Sequence, residues 1–359
     1  MPPGCRFCFF TLRKPPKQLI LRYFLDGRFF KNLFKNLDIR RLNIKIWPSK
    51  MIHIDNIYKN FGPLRALGGV SFEVAKGEVV GLLGPNGAGK TTTLRIITGY
   101  LKPDSGAVTI NGLSVADADL RTRKMTGYLP ENAPLYYDME VVEFLTYIAR
   151  LRSLCATDIQ ARIDEMIDVC RLSEVVGRSV GKLSKGYRQR VGLAAAMMHK
   201  PEVLILDEPT SGLDPNQIVE IRNLIREIGH ERTVILSTHI MQEVEATCSR
   251  AFIISSGRLV GQGTIEELIK MGKTSLDHTV GIKGARAQIE TKLSGLAGFE
   301  FLEWISSKSG VERFVVKSTF GDDRSDEIFR WAVDSGLVLT ELSSVGASLE
   351  EVFRELTQN

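Results

Sequence analysis

The sequence predicts an α/β fold: a parallel sheet with its ligand site at the strand ends, followed by a smaller α+β region. Three observations predict it. Short apolar runs such as Val79–Leu83 and Val203–Leu206 alternate with helical stretches, the pattern of strands joined by crossovers. Two of those runs end in residues suited to phosphate and cation chemistry, Gly84–Thr92 and Asp207–Glu208. From about Ser275 the pattern shifts to short strands and helices that carry no catalytic cluster.

A leader of different composition precedes the first strand. Residues 1–50 hold 12 Lys/Arg against 2 Asp/Glu and the rest hold 35 against 40, so the net charge of +5 comes from the leader alone. Pro2-Pro3 and Pro15-Pro16 interrupt it, and no periodicity runs through it. Its basic, aromatic character (Phe29, Phe30, Phe34) suits an anionic membrane surface. A flexible tail is a second reading. The third reading, which is preferred, sets the true start at Met51 and makes the leader a mis-set extension. Cys5 and Cys8 form one Cys-x-x-Cys with no second pair and no histidine nearby, short of a metal set.

Composition sets further bounds. At 359 residues and 43% hydrophobic, the chain can bury a large core and fits two domains. No window of about 18 residues is apolar and uncharged, and no signal-peptide core is present. Five thinly spread cysteines give no disulfide framework and suit a reducing cytoplasm.

From Met51 strands are expected at Ile52–Ile57, Val70–Val74, Val79–Leu83 and Val108–Ile110, with turns at Lys76-Gly77 and Asn111-Gly112. Gly84–Thr91 fits Gly-x-x-x-x-Gly-Lys-[Ser/Thr], a phosphate loop between a buried strand and a helix. Gly84, Gly87 and Gly89 let the backbone wrap with its N–H groups inward, around Pro85, Asn86 and Ala88. The helix that begins at Lys90, Thr91 and Thr92 sets its N-terminal dipole under the same anion. Lys90 is placed to meet the β- and γ-phosphates of ATP, and the Thr91 hydroxyl to hold Mg²⁺.

Tyr128-Leu129-Pro130-Glu131 follows, then a helical region from about Val141 to Val176. Leu183-Ser184-Lys185-Gly186-Tyr187 opens a helix of small residues through Met197. The buried strand Val203–Leu206 ends in Asp207, placed to order Mg²⁺, and Glu208, placed to polarise the attacking water. A helix through Ile218–Ile228 leads to a strand, Thr233–Leu236, which ends in Ser237-Thr238-His239. Asp207, Glu208 and His239 are thus the candidate catalytic residues.

Taken in order, these motifs make residues 51–273 resemble the nucleotide-binding subunit of an ABC transporter, a P-loop NTPase with a helical subdomain. The resemblance implies a head-to-tail dimer, homomeric or with a paired nucleotide-binding subunit, sandwiching two ATP molecules. It implies that Phe61 stacks on adenine and that Ser184 and Gly186, kept from the family's Leu-Ser-Gly-Gly-Gln, face the partner's γ-phosphate. Asp214, in Ser211-Gly212-Leu213-Asp214, matches the loop that couples the two sites, and His239 the switch histidine. Glu131 stands where the family usually has glutamine. A carboxylate still ligates Mg²⁺ there, so Thr91, Asp207 and Glu131 form the candidate metal set.

The spelling of these motifs resembles the exporter branch with separate six-helix permeases, which includes gliding-motility, sodium and drug export ATPases. The expected function is therefore an ATPase at the cytoplasmic face of the plasma membrane, driving an integral membrane permease encoded separately. A soluble relative acting on ribosomes or nucleic acid is the alternative. Such proteins usually carry tandem nucleotide domains or a long coiled coil, whereas this chain has one phosphate loop and a short interval before Leu183. No nucleic-acid partner is expected. A regulatory module without turnover is a third class, and Lys90, Asp207, Glu208 and His239 argue against it.

Residues 274–359 are expected to form a separate domain. Strands at His278–Ile282, Phe299–Ser306, Val311–Lys317 and Leu337–Leu342 alternate with helices at Ala285–Leu296 and Asp326–Val333. That β-α-β-β-α-β order suggests a small ferredoxin-like α+β unit. Leu349–Leu356 closes the chain as a helix with Leu349, Val352, Phe353 and Leu356 on one face. Ser348–Phe353 resembles the end of a similar extension in the same export branch.

Overall fold

The computed structural model describes residues 50–116, 120–271, 276–318, 324–345 and 349–357. The leader readings, with Cys5, Cys8 and Phe29, Phe30 and Phe34, fall outside those residues, as do Ser275 and Ser348.

The first two strands, β1 (Lys50–Phe61) and β2 (Leu64–Ala75), pair antiparallel. Both run longer than their apolar cores suggest. A register shift between Ile54 and Ile57, with Asn56 at φ 48°, lets β1 bend past the expected end and carry Phe61 to the hairpin tip. With β4 (Ser105–Ile110) and the short β5 (Leu113–Ser114) they form one four-stranded sheet, in the order β2-β1-β4-β5.

A second sheet holds the site. It contains β3 (Val79–Leu83), β6 (Thr126–Leu129), β7 (Val203–Asp207), β8 (Thr233–Thr238), β9 (Arg250–Ser255) and β10 (Arg258–Thr264). The order is β10-β9-β3-β8-β7-β6, parallel throughout except for β10 at one edge. All five residues of β7 and all six of β8 are buried. Strands covered on both faces read as unbroken apolar runs, which is why these two were visible in the sequence. The C-terminal ends of β3, β7 and β8 lie side by side, where such sheets bind ligands.

Helix α1 (Lys90–Ile97) follows the phosphate loop, and α2 (Leu120–Met125) leads into β6. The helical region expected over 141–176 is two α-helices, α3 (Val141–Leu151) and α4 (Ala156–Val169), with a short 3₁₀ turn at Ser173–Val175. Ser153 at φ 58° and Arg171 at φ 54° turn the backbone left-handed after each helix, conformations the spacing of apolar residues does not signal. Helix α5 (Lys185–Met197) packs against α3, α4 and β6. Phe144, Leu145, Ile163, Met166 and Val191 join it to a buried cluster that extends to Leu204 and Leu206 of the sheet. Helix α6 (Pro215–Gly229) precedes β8, and α7 (Met241–Thr247) follows it. Val244 of α7 touches β3 where Gly81 has no side chain, so close that a Cβ would lie 2.7 Å from a Val244 methyl.

Beyond α8 (Ile265–Met271) come β11 (Leu276–Lys283), α9 (Arg286–Leu293), β12 (Phe299–Lys308), β13 (Val311–Ser318), α10 (Ser325–Asp334) and β14 (Val338–Val345). Their sheet is antiparallel with order β12-β13-β11-β14, and it encloses its own apolar cluster around Val280, Ile282, Phe314 and Ile328. The last helix, α11 (Leu349–Thr357), does not join that cluster. Leu349 is buried with Leu268 in the main core, and Phe353 and Leu356 pack against the same cluster.

His199, just after α5, gives the fold an acid sensitivity. Its Nε2 lies 3.0 Å from the Thr126 carbonyl, while its Nδ1 is buried without a partner. Burial, reinforced by the Arg152 charge, lowers its pKa to about 4. The unfolded chain, with an ordinary histidine near 6.5, then binds the extra proton first as pH falls. This histidine's stabilisation is therefore complete above about pH 6.5 and is lost as pH falls toward 4. His199→Gln keeps a donor for Thr126 and is expected to flatten the dependence of melting temperature on pH between those values. An unchanged slope in the variant would remove His199 from the account.

Candidate functional site

At the end of β3 the chain wraps into the phosphate loop because Cβ atoms are absent where the backbone crowds. A side chain on Gly84 would strike the Ile254 carbonyl, and one on Gly89 would lie 2.7 Å from Leu67 and 2.8 Å from the Ala66 carbonyl. Gly87 and Gly89 have φ of 80° and 106°, the left-handed side that glycine adopts at little cost. The Lys90 ammonium is buried at 6% exposure, donates to the Gly84 carbonyl at 2.7 Å and lies 3.2 Å from Glu208 Oε1.

Three strand ends converge on this loop. Asp207, the last residue of β7, accepts the Thr91 hydroxyl at 3.2 Å and the Ser237 hydroxyl at 2.6 Å, both on Oδ1. Glu208 holds φ 49°, a left-handed conformation that costs a non-glycine residue about 1 kcal/mol or more. Its N–H donates to Ser237, and its carboxylate Oε2 lies 2.9 Å from His239 Nδ1. The strained residue is thus gripped on two sides, which fixes the carboxylate between Lys90 and His239.

Pro85 through Thr92 line a cleft of about 560 Å³ with Phe61, Glu131, Glu208 and His239. Phe61 is half exposed on the rim, with the Lys59 ammonium 5.8 Å from its ring centroid. The cleft therefore gathers an exposed aromatic, a polar loop of backbone N–H groups, a buried cation and a carboxylate–imidazole pair. Ser184, Gly186 and Asp214 are elsewhere. They line a second cleft of about 620 Å³ with Arg171, Tyr187 and Arg190. Ser184 caps α5 by accepting the Tyr187 N–H at 3.3 Å, and Asp214 caps α6 by accepting the Gln217 N–H at 2.9 Å.

Some residues of the site carried no role in the sequence reading. Ser237 clamps Asp207 and Glu208 together, and only its place at a buried strand end hinted at it. Glu243 is fully buried and accepts from the Thr210 hydroxyl at 2.5 Å and the Thr238 hydroxyl at 2.7 Å, tying the ends of β7 and β8. In the sequence it looks like an ordinary first-turn acid. Arg65 also lines the cleft, as does Ser211 from the loop already singled out in the sequence. Tyr128, before Glu131, has its hydroxyl pKa pushed up to about 12, first by burial and then by the charge of Asp207.

Residues 67–211 match the ABC transporter family. The ABC transporter ATP-binding protein YxlF of Bacillus subtilis strain 168 is 34% identical over 315 residues, 84% of this chain and 98% of that protein. This chain belongs to the ABC transporter ATP-binding proteins. The Nod factor export ATP-binding protein I of Paraburkholderia xenovorans strain LB400 is 37% identical over 227 residues, 62% of this chain and 73% of its own length. Among solved structures, cbiO1 from Clostridium perfringens, part of the ABC transporter complex cbiONQ, superposes with a TM-score of 0.57 at 28% identity. That match covers 61% of this chain and 90% of the other.

This ABC ATP-binding protein is therefore an ATPase whose hydrolysis drives transport, with the P-loop cassette fold that the sequence predicted. Its donor set suits a magnesium ion. The Thr91 hydroxyl and the Asp207 carboxylate are already 3.2 Å apart. Among the described residues no cluster of three or more His, Cys, Asp or Glu forms a metal cage. Magnesium needs no such cage, since it is held by one or two protein oxygens plus phosphates and water. No helix among the described residues is long and apolar enough to cross a membrane.

Proposed function

We propose that this chain binds MgATP in the Phe61–His239 cleft and completes that site only by pairing head to tail with a second copy or a paired nucleotide-binding subunit. The observation that carries this reading is the separation of the two clefts. The phosphate-binding residues line one, and Ser184 and Gly186, at the N-terminus of α5, line another. A helix N-terminus with a small, exposed hydroxyl beside it is suited to an anion, and the partner's γ-phosphate is the anion that head-to-tail closure supplies.

In this reading Phe61 stacks on adenine, and the loop N–H groups with Lys90 cradle the phosphates. Thr91, Asp207 and Glu131 hold Mg²⁺, which when bound neutralises charge that develops on the phosphates. Glu208 takes a proton from the attacking water, and His239, bonded to Glu208, holds that carboxylate in line and meets the γ-phosphate. Asp214 holds the start of α6 at the dimer seam.

Residues 51–273 form the ATPase domain and 274–359 a ferredoxin-like domain whose last helix returns to the ATPase core. The permease is a separate integral membrane protein. An apolar groove of about 380 Å³ beside Glu131, with Pro134, Leu135, Phe144, Ile148 and the exposed Leu151, supports docking of such a partner. The chain then sits at the cytoplasmic face of the plasma membrane, and the Nod factor export relative favours export.

Composite sites make activity depend on association. The specific ATPase activity of the purified chain is expected to rise with protein concentration and then level off. A specific activity constant from nanomolar to micromolar protein would mean that each chain hydrolyses ATP alone. In a separate preparation, from detergent extracts of membranes, copurification of an integral membrane protein is expected. A ribosomal or DNA-binding partner in its place would contradict the transport reading.

A further inference from the structure

Glu208 and His239 both lie past the end of the sheet that carries them. The last paired residues of β7 and β8 are Asp207 and Ser237, so each of the two stands at the start of a loop. Another acid, Glu243 on α7, ties those loops together. Its Oε1 accepts the Thr210 hydroxyl at 2.5 Å, two residues beyond Glu208, and its Oε2 accepts the Thr238 hydroxyl at 2.7 Å, next to His239. The Thr238 oxygen in turn accepts the Ile240 N–H at 3.1 Å, so the backbone is pinned on both sides of the histidine.

The helix that carries Glu243 is itself fixed. Val244 fills the place that Gly81 leaves on β3, and α11 packs behind it, with the Leu349 N–H donating to Glu245 at 3.3 Å. Glu243 is fully buried and makes no ion pair among the described residues. A buried carboxyl group needs its hydrogen bonds merely to break even with an apolar side chain of similar size. Stability therefore gives no reason for an acid here, and the two hydroxyls it gathers point to the pair beside them.

We propose that Glu243 is a positioning residue for ATP hydrolysis. It holds the loops after β7 and β8 at the separation where the Glu208 carboxylate meets the His239 imidazole at 2.9 Å. It does not itself line the nucleotide cleft. The inference rests on the roles given above to Glu208 and His239 and names what keeps them in register.

Variants of the full-length chain separate positioning from packing. Thr210→Ser with Thr238→Ser trims two methyl groups and keeps both hydroxyls. Glu243→Met with Thr210→Val and Thr238→Val keeps the shapes and removes the three polar groups together, so none of them is left buried and unpaired. This apolar variant is expected to melt near the wild-type temperature and to keep the wild-type KM for ATP. Its kcat should fall by roughly 10²-fold, the loss that a misplacement of about 1 Å causes. The serine pair should turn over like wild type. Thr210→Val alone, which leaves Glu243 bonded to Thr238, should show the same split in smaller degree, and it serves if the apolar variant does not fold. Failure of the underlying roles shows elsewhere, as wild-type turnover by Glu208→Gln. A wild-type kcat in the apolar variant or in Thr210→Val would overturn the proposal, as would a serine pair as slow as the apolar variant.

Discussion

Glu208→Gln is expected to lower ATP hydrolysis by about 10²–10⁴-fold, the usual worth of a positioned general base, while ATP still binds. The amide keeps the shape of the carboxylate and cannot accept the water's proton. The phosphate contacts from the loop, Lys90 and Thr91 remain. The Lys90–Glu208 pair adds a second consequence. Both side chains are nearly buried and 3.2 Å apart, so the substitution leaves a buried cation without its counter-charge. The variant should therefore melt at a lower temperature than wild type without nucleotide. ATP should recover the difference, since its phosphates then supply the missing negative charge. Near-wild-type turnover by Glu208→Gln in a steady-state phosphate-release assay would remove Glu208 from the chemistry.

The second large effect belongs to Ser184→Arg. The hydroxyl lies at the start of α5, outside the chain's own nucleotide cleft. A reading in which each chain works alone therefore gives this position no role in catalysis. If the cleft it lines receives the partner's γ-phosphate, a long guanidinium there blocks closure by its bulk. Hydrolysis should fall to background with ATP affinity unchanged, a split between binding and turnover that damage to the phosphate loop does not produce. Mixing tests it further. With Lys90→Ala subunits, each mixed dimer has one site with both lesions and one with neither, so activity is expected to rise above that of either variant alone. Activity above that of either variant alone, which follows where one intact site suffices, would place Lys90 and Ser184 in the same shared site.

The parts of this protein that were legible in the sequence are those where chemistry restricts the residue. Gly84–Thr91 stood out because wrapping a backbone tightly needs glycines at set places, and Asp207 because a carboxylate closing a fully buried strand needs polar partners, here Thr91 and Ser237. Lengths were less legible. Strand β1 continues through a register shift that lies in a backbone angle at Asn56, not in any apolar pattern. The break between α3 and α4 is likewise set by Ser153, an ordinary residue in a left-handed turn. Glu243 and Ser237 act through partners far away in sequence, which spacing along the chain cannot reveal. The terminal helix was legible as amphipathic, but the surface it covers was not. Gly261 leaves room for Leu356 only once β10 and α11 are brought together.

Size-exclusion chromatography with light scattering, on Glu208→Gln with and without Ser184→Arg, tests the central claim most directly. With MgATP the single variant should run as a dimer, because hydrolysis no longer opens the sandwich. Adding Ser184→Arg should return it to a monomer that still binds ATP. A double variant that stays dimeric with ATP would mean that the signature does not face the partner's nucleotide, and the shared-site account would be wrong.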